Sequence, residues 1–202
     1  MKMGLLALIV GLLAGCLSAP EANVATYDLG LSPTRRVANQ HRPAPLSVAP
    51  VAAPSWLNTN EIIYRLNYQD AARPRAYSLS RWVAPPAALL TQRLRQQLDS
   101  AGTITSLTDG LSPRYMLRTE LEEFSQIFDT AGSSRALVQM RVTIVDVPSR
   151  MLLAQRTFSV ERMAPTPNTA GAVGSLREAS DGAIEELLEW LVVAMDQVTS
   201  AK

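Results

Sequence analysis

From Ala136 to Asp146 apolar and polar residues alternate without a break. Ala136, Val138, Met140, Val142 and Ile144 point one way, and Gln139, Arg141 and Thr143 the other. A period of two marks a strand with one buried face, so this chain must build a sheet and cover one side of it. Runs on either side repeat the pattern. Tyr115 to Phe124 places Tyr115, Leu117 and Leu121 on one face, and Met151 to Glu161 does the same with Leu152, Ala154, Phe158 and Val160. Asp129-Thr130-Ala131-Gly132 and Pro148-Ser149-Arg150 supply turns between the runs, which predicts a β-meander. An earlier run, with Ile62, Tyr64, Leu66 and Tyr68 alternating with Ile63, Arg65 and Asn67, predicts a further half-buried strand.

Two segments keep helical spacing instead. Pro85-Pro86 opens the first, since proline fits a helix's first turn. Leu90, Leu94 and Leu98 form its stripe, Arg93, Arg95 and Gln96 lie elsewhere, and Ser100-Ala101-Gly102 ends it. A Pro- and Gly-containing loop, Pro165 to Gly174, precedes the second. There Leu176, Ala183, Ile184, Leu187, Leu188, Leu191, Met195 and Val198 recur at helical spacing almost to the end. Together these predict a single α+β domain, an antiparallel-rich sheet packed with two amphipathic helices. No internal repeat is present.

The N-terminus is organised differently. Lys2, an apolar run from Leu5 to Ala14 and small residues at Ala14-Gly15 have the layout of a secretory signal. The run is shorter than the roughly 20 apolar residues that a membrane-spanning helix needs. Leu13-Ala14-Gly15-Cys16 resembles the lipobox of bacterial lipoproteins, where a diacylglyceryl group is attached to the thiol and the chain is cut before the cysteine. Cys16 is the only cysteine, which excludes an intrachain disulfide and a cysteine metal cluster. The expected organisation is a signal peptide at 1–15, a lipidated tether at 16–56 and a folded domain at 57–202. Six prolines (20, 33, 43, 45, 50, 54) mark the tether as extended or irregular chain, within which Tyr27-Asp28-Leu29-Gly30 and Leu46-Ser47-Val48 could still join the fold. Cleavage removes Lys2, so 18 of the 19 basic residues remain against 18 acidic ones. A neutral chain lacks the basic face that nucleic-acid binding requires.

Few residues could carry chemistry. The single histidine, His41, lies in the Pro-rich stretch beside Arg35, Arg36 and Arg42. It reads as a solvated linker residue or as part of a basic cluster touching anionic head groups. A catalytic triad would need it rigidly held, and a metal site would need further ligands. Glu120, Glu122 and Glu123 are the best acid/base candidates. Glu120 and Glu122 stand about 7 Å apart on one strand face, a separation that glycosidases use. Because that face is opposite Leu117 and Leu121, a solvated strand surface explains them as well. Arg156 falls on the apolar face of its run, so either a carboxylate meets it there or a bulge turns it outward. No enzyme activity, cofactor or metal is expected.

The last helix carries an anomaly. With the core stripe at Ile184, Leu188, Leu191 and Met195, Val193 falls on the opposite side and Trp190 about 120° away. Either loop residues cover Trp190, or Trp190 and Val193 form a contact with another protomer or a partner, where Trp is enriched.

The order of motifs resembles one family. After the lipobox come Tyr27-Asp28-Leu29-Gly30, the strand Ile62-Ile63-Tyr64-Arg65, and Tyr77-Ser78-Leu79-Ser80-Arg81-Trp82 with Pro85-Pro86 and a Leu-rich helix. Then follow Leu121-Glu122-Glu123-Phe124, a hairpin ending Leu153-Ala154-Gln155-Arg156-Thr157-Phe158, and a helix bearing Glu189-Trp190-Leu191. This arrangement is similar to the ABC-type transport auxiliary lipoprotein family, whose relatives include the outer-membrane lipoprotein of the paraquat-inducible Pqi system. The resemblance implies a non-enzymatic component of a lipid-trafficking machine, anchored in the outer membrane of a Gram-negative bacterium. It would dock a periplasmic MCE-domain protein and its ABC transporter, alone or as a homo-oligomer. Leu17-Ser18 after the cysteine, with no Asp, fits outer-membrane sorting by the same analogy. The other class of function is an envelope-assembly or structural scaffold in an unrelated outer-membrane complex. The Pro-rich insertion between Gly30 and Leu46 departs from the family pattern and bears on the first strand pairing.

Overall fold

The computed structural model describes residues 23–32, 46–100 and 113–200. In chain order these form β1 (Ala25–Tyr27), β2 (Leu46–Val48), β3 (Glu61–Leu66), β4 (Asp70–Trp82), α1 (Pro86–Ser100), β5 (Tyr115–Thr130), β6 (Ser133–Asp146), β7 (Met151–Met163) and α2 (Thr169–Ser200). The strands make one seven-stranded sheet, ordered β1-β4-β3-β5-β6-β7, with β2 on the first half of β5. The α+β class and the two helices are as expected. The antiparallel-rich meander is not, because the sheet is mixed. Pairs β3–β4, β5–β6 and β6–β7 are antiparallel, whereas β1–β4, β2–β5 and β3–β5 are parallel. Alternation reports which face of a strand is buried, not which strand lies beside it. Two of the parallel pairings also use three-residue strands, too short for a period to register.

One core joins both helices to one face of the sheet, with Leu90, Leu94 and Leu98 of α1 and Leu176, Ile184, Leu187 and Leu191 of α2 in a single apolar cluster. Arg93 lies on that buried side, although its charge had suggested the solvent face. On β5 the buried positions change phase. Leu117, Thr119 and Leu121 are buried, then Phe124, Gln126 and Phe128, because Glu122 is an extra residue between the pairs Leu121–Met140 and Glu123–Gln139. A bulge of this kind turns the strand by one residue. A second bulge, at Leu153, sets Leu152 beside Val145 on the open face rather than with Ala154 and Phe158.

Two elements differ from their sequence reading. β4 was not anticipated, because its residues from Asp70 to Ala76 are mostly exposed and it contains Pro74, so it offers no alternation. Helix α2 begins inside the expected loop, at Thr169. Asn168 caps it, its Oδ1 accepting from the Gly171 amide at 3.0 Å and its carbonyl accepting from the Ala172 amide. Gly171 is there for space, since a Cβ would stand 1.9 Å from the Thr166 carbonyl oxygen. Its loop-like reading came from the residue type alone.

Candidate functional site

Trp190 and Val193 lie on the last third of α2, and the structure separates their roles. The Trp190 ring meets Phe158 of β7 edge-on, with centroids 5.7 Å apart and planes at 66°, and packs partly buried against the core. Val193 is 56% exposed. Around the helix axis, Glu186, Glu189 and Asp196 lie within about 60° of Val193. All three are exposed, and no Lys or Arg occurs between Arg177 and Lys202. Acidic groups near a helix C-terminus oppose the macrodipole, and α2 has no basic residue in its last turn. The result is an apolar spot ringed by carboxylates, which suits contact with a cationic, partly apolar surface.

Between the helices sits a second arrangement that charge patterning did not reveal. Arg93 of α1, 3% exposed, donates through Nε and Nη2 to the two carboxylate oxygens of Asp181 on α2, at 2.7 and 2.8 Å. Its Nη1 donates to the Gly30 carbonyl at 2.8 Å. Gly30 has φ of 69°, a left-handed conformation that glycine adopts readily, and its amide donates to Asp28 Oδ1. Leu29, between them, is buried in the core. The Tyr27-Asp28-Leu29-Gly30 segment is thus pinned across both helices by one planar, bidentate guanidinium. The legible signal was the motif itself; its partner Arg93 looked like a surface residue.

The other candidates are resolved by their neighbours. Glu122 pairs with Arg141 and accepts from Gln139 Nε2 at 2.7 Å, while Glu120 stands 3.8 Å from the same arginine. Glu123 pairs with Arg65 at 3.1 Å. All three carboxylates therefore face arginines on the open side of the sheet. Among the described residues Arg156 meets no carboxylate, and the strand is regular at its position. It stands on the covered face of the edge strand, exposed, with its guanidinium carbon 5.2 Å from the Phe158 ring centre. Cys16 and the cluster of Arg35, Arg36, His41 and Arg42 lie outside the described residues. Among the described residues no group of His, Cys, Asp or Glu could hold a metal ion, and no helix is long and apolar enough to cross a membrane.

Solved structures share this fold. A Xanthomonas campestris protein of the DUF330 family superposes with a TM-score of 0.70 at 18% identity, covering 89% of this chain and 98% of that one. A hypothetical protein from Chlamydia trachomatis gives a TM-score of 0.52 at 8% identity, covering 76% and 98%. No curated protein matches. The model of the ABC-type transport auxiliary lipoprotein component matches residues 27–187, from the pinned Tyr27 segment to the middle of α2. A match across most of the chain, on a fold that two solved structures share, means that this protein belongs to the ABC-type transport auxiliary lipoprotein family.

Proposed function

We propose that the chain is made with a signal peptide at 1–15, acylated at Cys16 and held on the periplasmic face of the outer membrane. There it serves as the non-enzymatic docking component of an MCE-type ABC transporter that moves lipid. Residues 16–56 act as tether and also contribute β1 and β2, and the remainder of the chain is the auxiliary domain. The family match over residues 27–187 carries this reading. The candidate carboxylates accompany it, since Glu120, Glu122 and Glu123 each face an arginine, and Glu186, Glu189 and Asp196 ring Val193.

Val193 and the exposed edge of Trp190 form the docking spot, and its acidic ring selects a cationic surface on the MCE protein. A photo-crosslinking residue in place of Val193, irradiated in cells, should capture that protein. Capture of a second copy of this chain would make the spot a homo-oligomer contact. Capture of an unrelated outer-membrane complex would favour a scaffold lipoprotein instead. For the anchor, Cys16→Ser should leave the precursor uncut and free of fatty-acid label, because Cys16 carries the only thiol in the chain to which a diacylglyceryl group can be joined. Persistent label on the variant would overturn acylation at Cys16. Recovery of the native protein in inner-membrane fractions would overturn the outer-membrane placement.

A further inference from the structure

We propose that the edge of the domain around β1 rests directly on the lipid surface, with Leu31, Leu79 and Val83 entering the interface and Arg81 and Arg177 meeting anionic head groups. The inference rests on acylation at Cys16 but adds a defined face and orientation to it. Three large apolar side chains stand in water around one strand. Leu31 is 97% exposed, and Leu79 and Val83 are each 57% exposed. The register places Leu79 and Val83 beside β1, and Leu31 stands at the end of the same segment, next to α1. Ala25 pairs with Ser80 next to Leu79, and the Tyr27 carbonyl accepts from the Val83 amide at 2.7 Å. Leu31 follows Gly30, which lines an open cleft of about 410 Å³ together with Tyr27, Val83, Val173 and Arg177. Exposed apolar residues scattered singly are ordinary, whereas three around one strand mark a contact surface.

The occupant follows from where the chain leaves the domain. Cys16 lies nine residues before Ala25, a reach of at most about 30 Å even when fully extended. Acyl chains at Cys16 therefore keep the β1 edge within about 30 Å of the bilayer. The far edge, β7, is five strand spacings away, roughly 24 Å. Charge fits the same occupant. Among the described residues Arg81 and Arg177 have no ion pair, although Glu61 is the β3 neighbour of Arg81. The nearby Asp28 carboxylate is already engaged by the Gly30 amide. Cations beside inserted apolar side chains are what an anionic head-group layer binds.

The single native cysteine makes the test direct. In the lipidated protein its thiol is blocked, so Leu31→Cys, Leu79→Cys, Val83→Cys and, as control on the far edge, Met163→Cys each present one thiol for a polarity-sensitive dye. The labelled proteins are reconstituted into phosphatidylethanolamine–phosphatidylglycerol vesicles carrying brominated lipid. Quenching is expected at the first three sites and not at Met163→Cys. It should fall in phosphatidylcholine vesicles, and charge reversal by Arg81→Glu and Arg177→Glu should weaken docking by about fivefold or more for each residue. Absent quenching at the three sites, or equal quenching at the control, overturns the proposal. So does a dye already shielded in detergent and indifferent to brominated lipid, which would mean that protein covers this surface. A wild-type chain that takes up the dye has a free Cys16 thiol; that result sinks the anchor reading, and this proposal with it, independently of any quenching.

Discussion

Arg93 and Arg141 both meet carboxylates, but on opposite sides of the sheet. Arg93 lies under the helices, bidentate to Asp181, with its remaining donor on the Gly30 carbonyl. Arg141 lies on the open face, close to half exposed, shared between Glu122 and Glu120. The two sites teach opposite lessons about charge. A guanidinium removed from water must have its charge met by fixed partners, so Arg93 acts as a joint between α1, α2 and the segment leading to the tether. On the open face water and salt compete for the same groups, and the pairs there contribute little.

Breaking the covered site should have the largest effect. Arg93→Ala leaves the Asp181 carboxylate uncompensated and the Gly30 carbonyl without its donor, at a cost of about 3 kcal/mol. For a domain of this size that is a fall in Tm of about 6–12 °C, read by urea denaturation and calorimetry. The double change Arg93→Met with Asp181→Leu should recover much of the loss, since replacing both partners by apolar groups removes the stranded charge. A single variant as stable as wild type would mean that the joint is dispensable.

Trp190 stands between the two extremes, with one edge on Phe158 and the other in solvent. Trp190→Ala should cost the monomer about 1–2 kcal/mol through the lost aromatic pair and apolar area, whereas Val193→Ala should leave melting nearly unchanged. If the α2 spot docks a partner, both variants weaken association, read by light scattering of the complex. A Trp190→Ala variant that melts lower yet assembles normally would assign the tryptophan to the core alone and leave Val193 as the contact.

The open face should respond least to neutralising its acids. Glu120→Gln with Glu122→Gln should cost less than about 1 kcal/mol, and the difference from wild type should shrink further in high salt. A stably folded double variant that loses transport function would reopen an acid/base role for these carboxylates.

How much of this was legible follows from the same contrast. The faces of β5, β6 and β7 could be read where alternation ran unbroken, whereas the bulge at Glu122, which carries Phe124 onto the covered face, was not read. Partners in the sheet could not be read, because β1 and β2 are three residues long and β4 is exposed on both sides over much of its length. Arg93 was misplaced for an electrostatic reason. Charge in a helical stripe reads as a solvent face, and only the distant Asp181, 88 residues on, makes its burial tolerable. Asn168 and Gly171 were hidden because a cap and a tight helix start use residues that equally well make loops.

A second polar entry into the covered face tests whether burial or pairing dominates there. The Tyr77 hydroxyl of β4 donates to Gln126 Oε1 at 2.6 Å, and the buried Gln126 passes a hydrogen bond from Nε2 to Ser134 Oγ at 2.8 Å. Burial, with a smaller contribution from nearby Tyr64, pushes the Tyr77 phenol up from 10.0 to about 12. Because the folded state holds this proton more tightly than the unfolded chain, its contribution is complete below pH 10 and is lost as pH rises through 12. Stability should therefore decline across that window. Tyr77→Phe, which lowers stability at neutral pH by orphaning Gln126 Oε1, should flatten the alkaline slope. Equal alkaline slopes for wild type and Tyr77→Phe, measured by urea denaturation across the window, would show that deprotonation of Tyr77 does not oppose folding. The Tyr77–Gln126–Ser134 chain would then matter for geometry and not for charge.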